Sequence, residues 1–295
     1  MKLLITGFNG FVAGSVIAQA KGKWEIHGIG RSENPIDEPG IYYHNLDLLD
    51  GVEFTKLFNE ISPDAVIHAA AMANIDVCQV NQEMAERVNV GITKTIARLC
   101  AEQNVKMVFC STDTVFDGIK GDYTETDVPY PLNYYAQTKV KGEQIVLAAS
   151  PKNVVARLAL VMGLPVIGKG NSFLADMIAK LGKRIEIPFP ANETRTPVDV
   201  ITLGSALIEL AGNQFGGIIH LSGNTKINRY RMALEIATTL GYSTSLILST
   251  DSNAMPGRAP RANDASMDNS LAKQVLKTPM RTLAEGLNLT LNFKI

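Results

Sequence analysis

The sequence predicts an α/β protein built on a doubly wound parallel sheet, and three observations support this. Apolar runs alternate in steady order with segments of helix length as far as about residue 160. These runs are nearly continuous in apolar residues, which is typical of strands that are covered on both faces. The chain has 295 residues, of which 46% are hydrophobic and 19% charged, so it can bury a large core. Alternating strands and helices favour right-handed crossovers between parallel strands.

The elements predicted in the first part of the chain follow this alternation. Strands are predicted at 2–7, 24–31, 41–48, 64–70, 105–112 and 153–160. Helices are predicted at 10–20, 51–60, 77–103 and 133–149. Together they predict one domain over residues 1–160.

The alternation loosens after residue 160. The predicted order is a Gly/Pro-rich loop (163–173), a helix (172–182), a strand (184–188), the segment TRTPVDV (194–200), a helix (201–211), a strand (216–222), a helix (228–241), a strand (244–250), a loop (255–261) and two further helical segments. We expect a smaller mixed α/β domain over 161–295 that mainly binds substrate. Residues 190–222 are expected to return to the first domain.

Composition excludes several classes of function. The formal net charge of −1 does not favour nucleic acid or an anionic membrane surface as a partner. No apolar run reaches the roughly 18 residues that span a bilayer. Cys78, Cys100 and Cys110 show no CxxC spacing and no clustering with the histidines, which favours buried thiols over disulfides or a metal site. We therefore expect a cytoplasmic protein without a bound metal, and a homodimer is left open.

The stretch LITGFNGFVAG (4–14) has two interpretations. A lysine at the start, an apolar run and AQA at 18–20 are typical of a secretory signal. Alternatively, a strand enters a turn in which Gly7, Gly10 and Ala13 recur every three residues, so that backbone can approach a pyrophosphate at a helix start. A strand, turn, helix and second strand within about 30 residues favour the second interpretation. Residues 1–160 are therefore predicted to form a Rossmann dinucleotide-binding domain.

The end of the second predicted strand indicates which cofactor is bound. An acidic residue there would accept a hydrogen bond from the ribose 2′-hydroxyl of NAD. This chain has Arg31 and Ser32, and a guanidinium suits a 2′-phosphate. The sequence thus predicts NADP(H) as the preferred cofactor, with NAD(H) as the alternative.

Tyr135 and Lys139 lie four residues apart in the predicted helix 133–149. This spacing places both side chains on one helix face. An ammonium beside a phenol stabilises the phenolate, so we expect Lys139 to lower the pKa of Tyr135 from about 10. Tyr135 could then donate a proton to a carbonyl that is being reduced. Ser111 and Thr112 end the strand 105–112, at the edge where open sheets bind ligands. A surface Tyr–Lys pair has the same spacing, so both interpretations stay open.

Six ordered stretches carry a resemblance to a known family. They are TGFNGFVAG (6–14), AVIHAAAMANIDVCQVNQEMAERVNV (65–90), CSTDTVFDG (110–118), YTETDVPYPLNYYAQTKVKGE (123–143), RTPVDV (195–200) and PGRAPRANDASMDNSLAKQVL (256–276). Over most of its length the sequence resembles the dTDP-4-dehydrorhamnose reductase family of the extended short-chain dehydrogenases/reductases. The resemblance implies reduction of a nucleotide-linked 4-keto sugar by NADP(H).

The resemblance also implies a role for each matching position. Thr112 would bind the substrate oxygen, Tyr135 would donate the proton, and Lys139 would hold the nicotinamide ribose and tune Tyr135. The cofactor-binding positions are Gly7, Phe8, Asn9, Gly10, Phe11 and Val12 for the pyrophosphate, Asp47 and Leu48 for the adenine, and Ala69, Ala70 and Ala71 for the ribose. The candidate substrate-binding residues are Asn74, Asp76, Asp113, Phe173, Arg195 and Arg258. The two arginines would face a nucleotide diphosphate or, equally, lie solvated at the surface.

Four positions depart from the family pattern. The third glycine of the turn is Ala13, the tyrosine of STDYVFDG is Thr114, and the tryptophan and tyrosine of RTSWVYG are Leu160 and Met162. In the family the last two positions lie toward the sugar. The particular sugar therefore stays open.

Three alternatives differ in their chemistry. Related dehydratases carry Asp–Glu after the threonine as an acid–base pair, whereas this chain has Asp113 and Thr114. An epimerase with tightly held NAD shares the other motifs. The regulatory beta subunit of methionine adenosyltransferase resembles the same family and binds NADP while it serves a partner, so a non-catalytic function is the third alternative.

Overall fold

The computed structural model describes residues 1–32, 36–168, 170–254 and 256–294. The predicted loops 163–173 and 255–261 each include one position, residue 169 or 255, that lies outside the described residues. Elements are numbered here in chain order.

The strands are β1 (Lys2–Thr6), β2 (Glu25–Gly30), β3 (Ile41–Asn45), β4 (Ala65–His68), β5 (Lys106–Thr112), β6 (Val154–Leu158), β7 (Val161–Met162), β8 (Ile187–Pro190), β9 (Thr194–Arg195), β10 (Val198–Asp199), β11 (Gly217–Leu221), β12 (Ile227–Asn228) and β13 (Ile247–Thr250). The α-helices are α1 (Phe11–Ala20), α2 (Gly51–Ile61), α3 (Ile75–Val80), α4 (Gln82–Ala85), α5 (Ile92–Glu102), α6 (Tyr134–Ala149), α7 (Phe173–Gly182), α8 (Val200–Gly212), α9 (Arg229–Thr239), α10 (Ser270–Val275) and α11 (Leu283–Asn292).

Seven strands form one parallel sheet in the order β11-β6-β5-β4-β1-β2-β3. The direction of winding reverses between β1 and β4, which opens a crevice at the carboxyl edge of the sheet. Both faces of the sheet are covered by helices. The predicted fold class, a doubly wound Rossmann sheet, is confirmed.

The alternation of side chains along β1 shows how the sheet is buried. Leu3 and Ile5 pack on one face in a cluster with residues of α1 and α8, such as Val16 and Leu203. Leu4 packs on the other face with residues of α2, α5 and α6. Both faces exclude water, which is why the strands read as continuous apolar runs.

The prediction of one continuous helix at 77–103 is wrong. The structure has α3, α4 and α5 there, with a π-helical turn at Glu86–Gly91 between α4 and α5. Asn81 leaves helical geometry, with φ −117° and ψ 59°. The π-helical turn contains Asn89, whose buried side chain accepts from Met72 N at 2.8 Å and donates to the Thr138 hydroxyl at 3.0 Å. These polar contacts compensate for the irregular backbone.

The later strands differ from the prediction in their limits. The strand predicted at 184–188 begins only at Ile187, because Arg184 lies in the left-handed region, with φ 57°, and ends the preceding helix. The strand predicted at 244–250 opens with a 3₁₀ turn at Thr244–Leu246. β11 joins the main sheet beside β6, and α8 packs on α1. The division into two domains remains a prediction.

Candidate functional site

The candidate site lies where four parallel strands end together. The registers pair Thr6 with His68 and with Ile29, and His68 with Phe109, so the carboxyl ends of β1, β2, β4 and β5 share one edge. Side chains and loops that follow these strands are therefore brought together although they are far apart in sequence.

The turn after β1 requires glycine at two positions. Gly7 has φ +77°, and a Cβ there would lie 3.0 Å from the backbone of Ala70. A Cβ on Gly10 would lie 2.8 Å from the carbonyl oxygen of Gly7. Gly10 precedes α1, and among the described residues no side chain caps this helix and no acidic residue lies in its first turn. Its first N–H groups and the positive end of its dipole suit an anion.

A cavity of about 530 Å³ extends from this turn along the sheet edge. It is of a size typical of cofactor sites. Many of the residues predicted to bind the dinucleotide line it, namely Gly7, Asn9, Gly10, Arg31, Ser32, Asp47, Leu48, Ala69, Ala70 and Ala71.

The Phe8 side chain lies beneath the glycine turn, where it cannot contact a cofactor. Its side chain is fully buried, its ring packs over Gly28, and its backbone amide donates to Ile29 O at 3.0 Å. Phe11 and Val12 begin α1 and are half-buried. Phe8 thus anchors the glycine turn to β2 from beneath.

Arg31 and Asp47 face each other at the open end of the cavity. The Arg31 Nη1 to Asp47 Oδ2 distance is 3.9 Å, and the side chains are 74% and 49% exposed. This arrangement offers a guanidinium to a phosphate, but it also places a carboxylate beside that phosphate. The neighbouring Ser32 carbonyl accepts a hydrogen bond from the Tyr43 hydroxyl.

The Thr112 side chain lies close to Tyr135 and acts to lower the pKa of its phenol. Burial raises the pKa of Tyr135, and the nearby carboxyl of Asp113 raises it further. The prediction that the pKa of Tyr135 is lowered is wrong in this structure, because desolvation outweighs the opposing effect of Thr112. The phenol is therefore protonated at neutral pH, the form in which it can donate a proton.

Lys139 lies one turn further along α6 and is 3% exposed. Its Nζ is 4.0 Å from the ring centroid of Phe109. Burial lowers the pKa of Lys139 to about 8, while Glu143 acts to raise it. Burial and the charge of Lys139 lower the pKa of His68 to about 3, and the His68 ring is held by Thr6 and Thr93 at 2.7 and 3.0 Å. His68 is thus a neutral core residue.

A buried ion pair supports the helix that carries Tyr135 and Lys139. Glu143 accepts from Arg157 at 2.8 and 3.0 Å and from the Ser111 hydroxyl at 2.5 Å. These bonds join α6 to β5 and β6 next to Thr112. The sequence pattern does not indicate this pair, because its members lie on separate elements.

Charged side chains form a second group beside Thr112, which we call the arginine cluster: Asp113, Glu193, Arg195, Arg229 and Arg258. Glu193 is buried and lies 3.0 Å from Arg258, 3.4 Å from Arg229 and 3.7 Å from Arg195. Arg195 lies 3.6 Å from Asp113 and donates to the carbonyl of Thr194 at 2.6 Å. Burial raises the pKa of Asp113, and Arg195 opposes that shift. Three arginines face two carboxylates, so the cluster has an excess of positive charge.

The other predicted substrate residues have different surroundings. Asn74 is exposed and caps α3 by accepting from Val77 N at 3.0 Å. Phe173 begins α7 and packs on an apolar cluster formed by residues after 160, such as Met177 and Met232. Arg195 is buried within the cluster, so its interpretation as a solvated loop arginine is wrong. Asp76 accepts hydrogen bonds from Ala259 N and Arg261.

Several residues of the site carry no local signal in the sequence. Glu193 and Arg229 belong to no motif, and their significance comes only from folding next to Arg195 and Arg258. Thr114, which replaces the family tyrosine, lies with its hydroxyl 3.1 Å from that of Thr112. Of the other departures, Met162 is buried and Leu160 is half-buried.

Within the described residues, no helix is both long and apolar enough to cross a membrane. The same part of the chain contains no group of three or more side chains arranged to hold a metal ion.

The sheet, the glycine turn and the Thr–Tyr–Lys arrangement define a nucleotide-binding protein of the short-chain dehydrogenase/reductase class. Within this class, the chain belongs to the RmlD substrate binding domain family, whose sequence model matches residues 1–294.

Known proteins similar to this chain have two different functions. The beta subunit of methionine adenosyltransferase 2 from Mus musculus is 28% identical over 292 residues, which cover 95% of this chain and 85% of that protein. The dTDP-4-dehydrorhamnose reductase of Mycobacterium tuberculosis is 28% identical over 286 residues, covering 95% and 89%. The crystal structure of dTDP-4-dehydrorhamnose reductase from Bacillus anthracis in complex with NADP has the same fold, with a TM-score of 0.84, 24% identity and 99% coverage of each chain.

Proposed function

We propose that this protein is an NADP(H)-preferring reductase of a nucleotide-linked 4-keto sugar, of the kind represented by dTDP-4-dehydro-L-rhamnose. The observation that carries the proposal is the proximity of Thr112 to Tyr135, with Lys139 buried one turn away on α6, beside a cavity that suits a dinucleotide. The similar reductase from M. tuberculosis supports the same reaction.

The cofactor residues fit a dinucleotide on structural grounds. The close approach of Gly7 to Ala70 and the uncapped start of α1 leave backbone N–H groups for a pyrophosphate. Ala69 to Ala71 would accept the nicotinamide-side ribose, Leu48 the adenine, and Arg31 a 2′-phosphate. When bound, NADPH supplies the hydride for the reduction.

Proton transfer is assigned to the Thr112–Tyr135 pair. The raised pKa of Tyr135 keeps its phenol protonated. The Thr112 hydroxyl binds the substrate oxygen as negative charge develops there, and the Tyr135 hydroxyl donates the proton. Lys139, with a pKa of about 8, carries a substantial positive charge at neutral pH and favours the phenolate that remains.

The arginine cluster is the proposed site of the substrate's diphosphate. Its excess positive charge is partly buried, and an anionic ligand would compensate it. Leu160, Met162 and Thr114 stand where the family pattern has aromatic residues, so we expect a sugar preference different from that of the pattern.

Further expectations accompany this function. We infer a cytoplasmic location. We also infer a cofactor domain over 1–160, to which residues 190–222 return, and a substrate domain mainly over 161–295. A homodimer is compatible with this function.

The test is a panel of dTDP- and UDP-linked 4-keto sugars incubated with NADPH while the absorbance of the reduced nicotinamide is followed. We expect oxidation of NADPH with at least one dTDP sugar. Retention of NADPH by the protein without turnover of any sugar would refute the reductase.

A non-catalytic, NADP-binding regulatory subunit is the second candidate. Its support is the 28% identity to the beta subunit of methionine adenosyltransferase 2 over 95% of this chain. Copurification with a methionine adenosyltransferase catalytic chain, together with a silent sugar panel, would favour it.

A further inference from the structure

The segment Arg258–Arg261 bridges the two halves of the candidate site. Arg258 belongs to the arginine cluster, 3.0 Å from Glu193. Two residues on, the Pro260 carbonyl accepts a hydrogen bond at 3.0 Å from Asn133, the residue that caps α6. The segment therefore runs from the arginine cluster to the start of the helix that carries Tyr135.

Asp76 holds this segment from the opposite side. Its Oδ1 accepts from the backbone N–H of Ala259 at 2.9 Å and from Arg261 Nη2 at 2.8 Å. Arg261 in turn donates to the Ala259 carbonyl at 2.7 Å, which closes a compact loop around the carboxylate. Asp76 and these partners are more than 180 residues apart in sequence, so the contact is made only in the folded chain.

The same helix, α3, also contacts the start of α6. Gln79 accepts from Tyr134 N at 3.0 Å, next to Tyr135. α3 thus holds both the start of the catalytic helix and the segment 258–261. Displacement of the segment would move Arg258 relative to Tyr135.

We propose that Asp76 is a positioning residue: it latches the segment 258–261 against the start of α6 and so fixes Arg258 for binding of the substrate's diphosphate. This inference rests on the proposed function and adds a residue to it. Asp76 acts through the segment rather than on the ligand, since a carboxylate next to a diphosphate would repel it.

The two possible roles of Asp76, facing the ligand or holding the segment 258–261, predict changes of opposite sign in the affinity for dTDP. If Asp76 merely faced the ligand, removal of its charge would tighten the binding of dTDP. If it latches the segment, Asp76→Ala loosens Arg258 and weakens dTDP binding by about tenfold, the usual effect of losing hydrogen bonds to a charged group. Asp76→Asn keeps an acceptor for Ala259 N, so its effect should be smaller.

The experiment combines calorimetric titration with dTDP and hydrogen exchange of peptides covering 256–263. Asp122→Asn is the matched control, because it removes another carboxylate that pairs with a distant side chain, Lys226, at 2.7 Å. We expect faster exchange and weaker dTDP binding for Asp76→Ala only, with the NADPH affinity unchanged within about twofold. In the double variant Asp76→Ala/Arg258→Ala, dTDP should bind no more weakly than in Arg258→Ala.

Three results would each overturn the positioning role of Asp76. They are unchanged hydrogen exchange in Asp76→Ala, equal or tighter binding of dTDP by that variant, and additive losses of dTDP affinity in the double variant. Failure of the native chain to bind dTDP or UDP would instead overturn the proposed substrate class. In that case the exchange measurement still decides whether Asp76 holds the segment.

Discussion

The two halves of the candidate site use charge in opposite ways. The cofactor half consists of backbone and small side chains, and its charged residues, Arg31 and Asp47, are largely exposed. The substrate half buries Glu193 and Arg195 beside two further arginines, Arg229 and Arg258, that are half-buried. Exposed pairs contribute little to stability, whereas buried charges depend strongly on their partners. Substitutions in the first half should therefore change specificity, and substitutions in the second half should change folding.

The largest effect is expected for Glu193→Gln. The change leaves three arginines facing only Asp113, and loss of one member of a buried ion pair costs about 3 kcal/mol or more. Urea denaturation should show this fall in the free energy of unfolding. Glu102→Gln, which removes an exposed partner of Arg98, should cost about 0.5 kcal/mol or less. Equal losses of unfolding free energy in the two variants would contradict the contrast between buried and exposed charges.

The second-largest effect is expected for Tyr135→Phe. Its turnover should fall about a hundredfold or more because the general acid is lost. Tyr134→Phe is the control, since the Tyr134 hydroxyl bonds only peripherally, to Glu86 at 3.1 Å. Steady-state turnover and NADPH binding are both measured, and NADPH binding should persist in both variants. Near-native turnover of Tyr135→Phe would remove it from the mechanism.

Arg31→Ala should weaken NADPH binding about tenfold, because one charge-assisted contact to the 2′-phosphate is lost. NADH, which lacks that phosphate, should bind equally well to both forms and serves as the internal control. Fluorescence titration of both cofactors gives the comparison. Equal affinity of the native chain for NADPH and NADH would exclude the assigned role of Arg31.

The smallest effect is expected for Asp47→Asn. The carboxylate lies 3.9 Å from Arg31 and competes with a 2′-phosphate, so its neutralisation should tighten NADPH about threefold. An asparagine can still accept from Leu49 N, as Asp47 Oδ1 does at 3.0 Å. Weaker NADPH binding, measured by the same titration, would show that Asp47 attracts the cofactor instead.

The sequence predicted the fold that carries the cofactor half because its signals are local. The fold class rests on buried strands in alternation with helices, and the glycine turn rests on steric limits at Gly7 and Gly10. The break in the predicted helix 77–103 could not be anticipated, since the π-helical turn depends on Asn89 contacting Met72 and Thr138.

The substrate half was harder to predict because its interactions are between distant residues. The family resemblance implies that Asp76 binds substrate, and in the structure its partners are the distant residues Ala259 and Arg261. The pKa of Tyr135 was expected to fall through its lysine neighbour, yet it rises because spacing along a helix does not reveal burial. The roles of the site residues remain predictions.

The position of β11 has a consequence for synthesis of the chain. β6 ends at Leu158, but its neighbour in the sheet, β11, begins only at Gly217. At roughly 5–20 residues per second, translation leaves one edge of β6 unpaired for on the order of 3–12 s. An unpaired strand edge is a template for aggregation. The interval between residues 158 and 217 is thus when a nascent chain of this protein would benefit most from a chaperone.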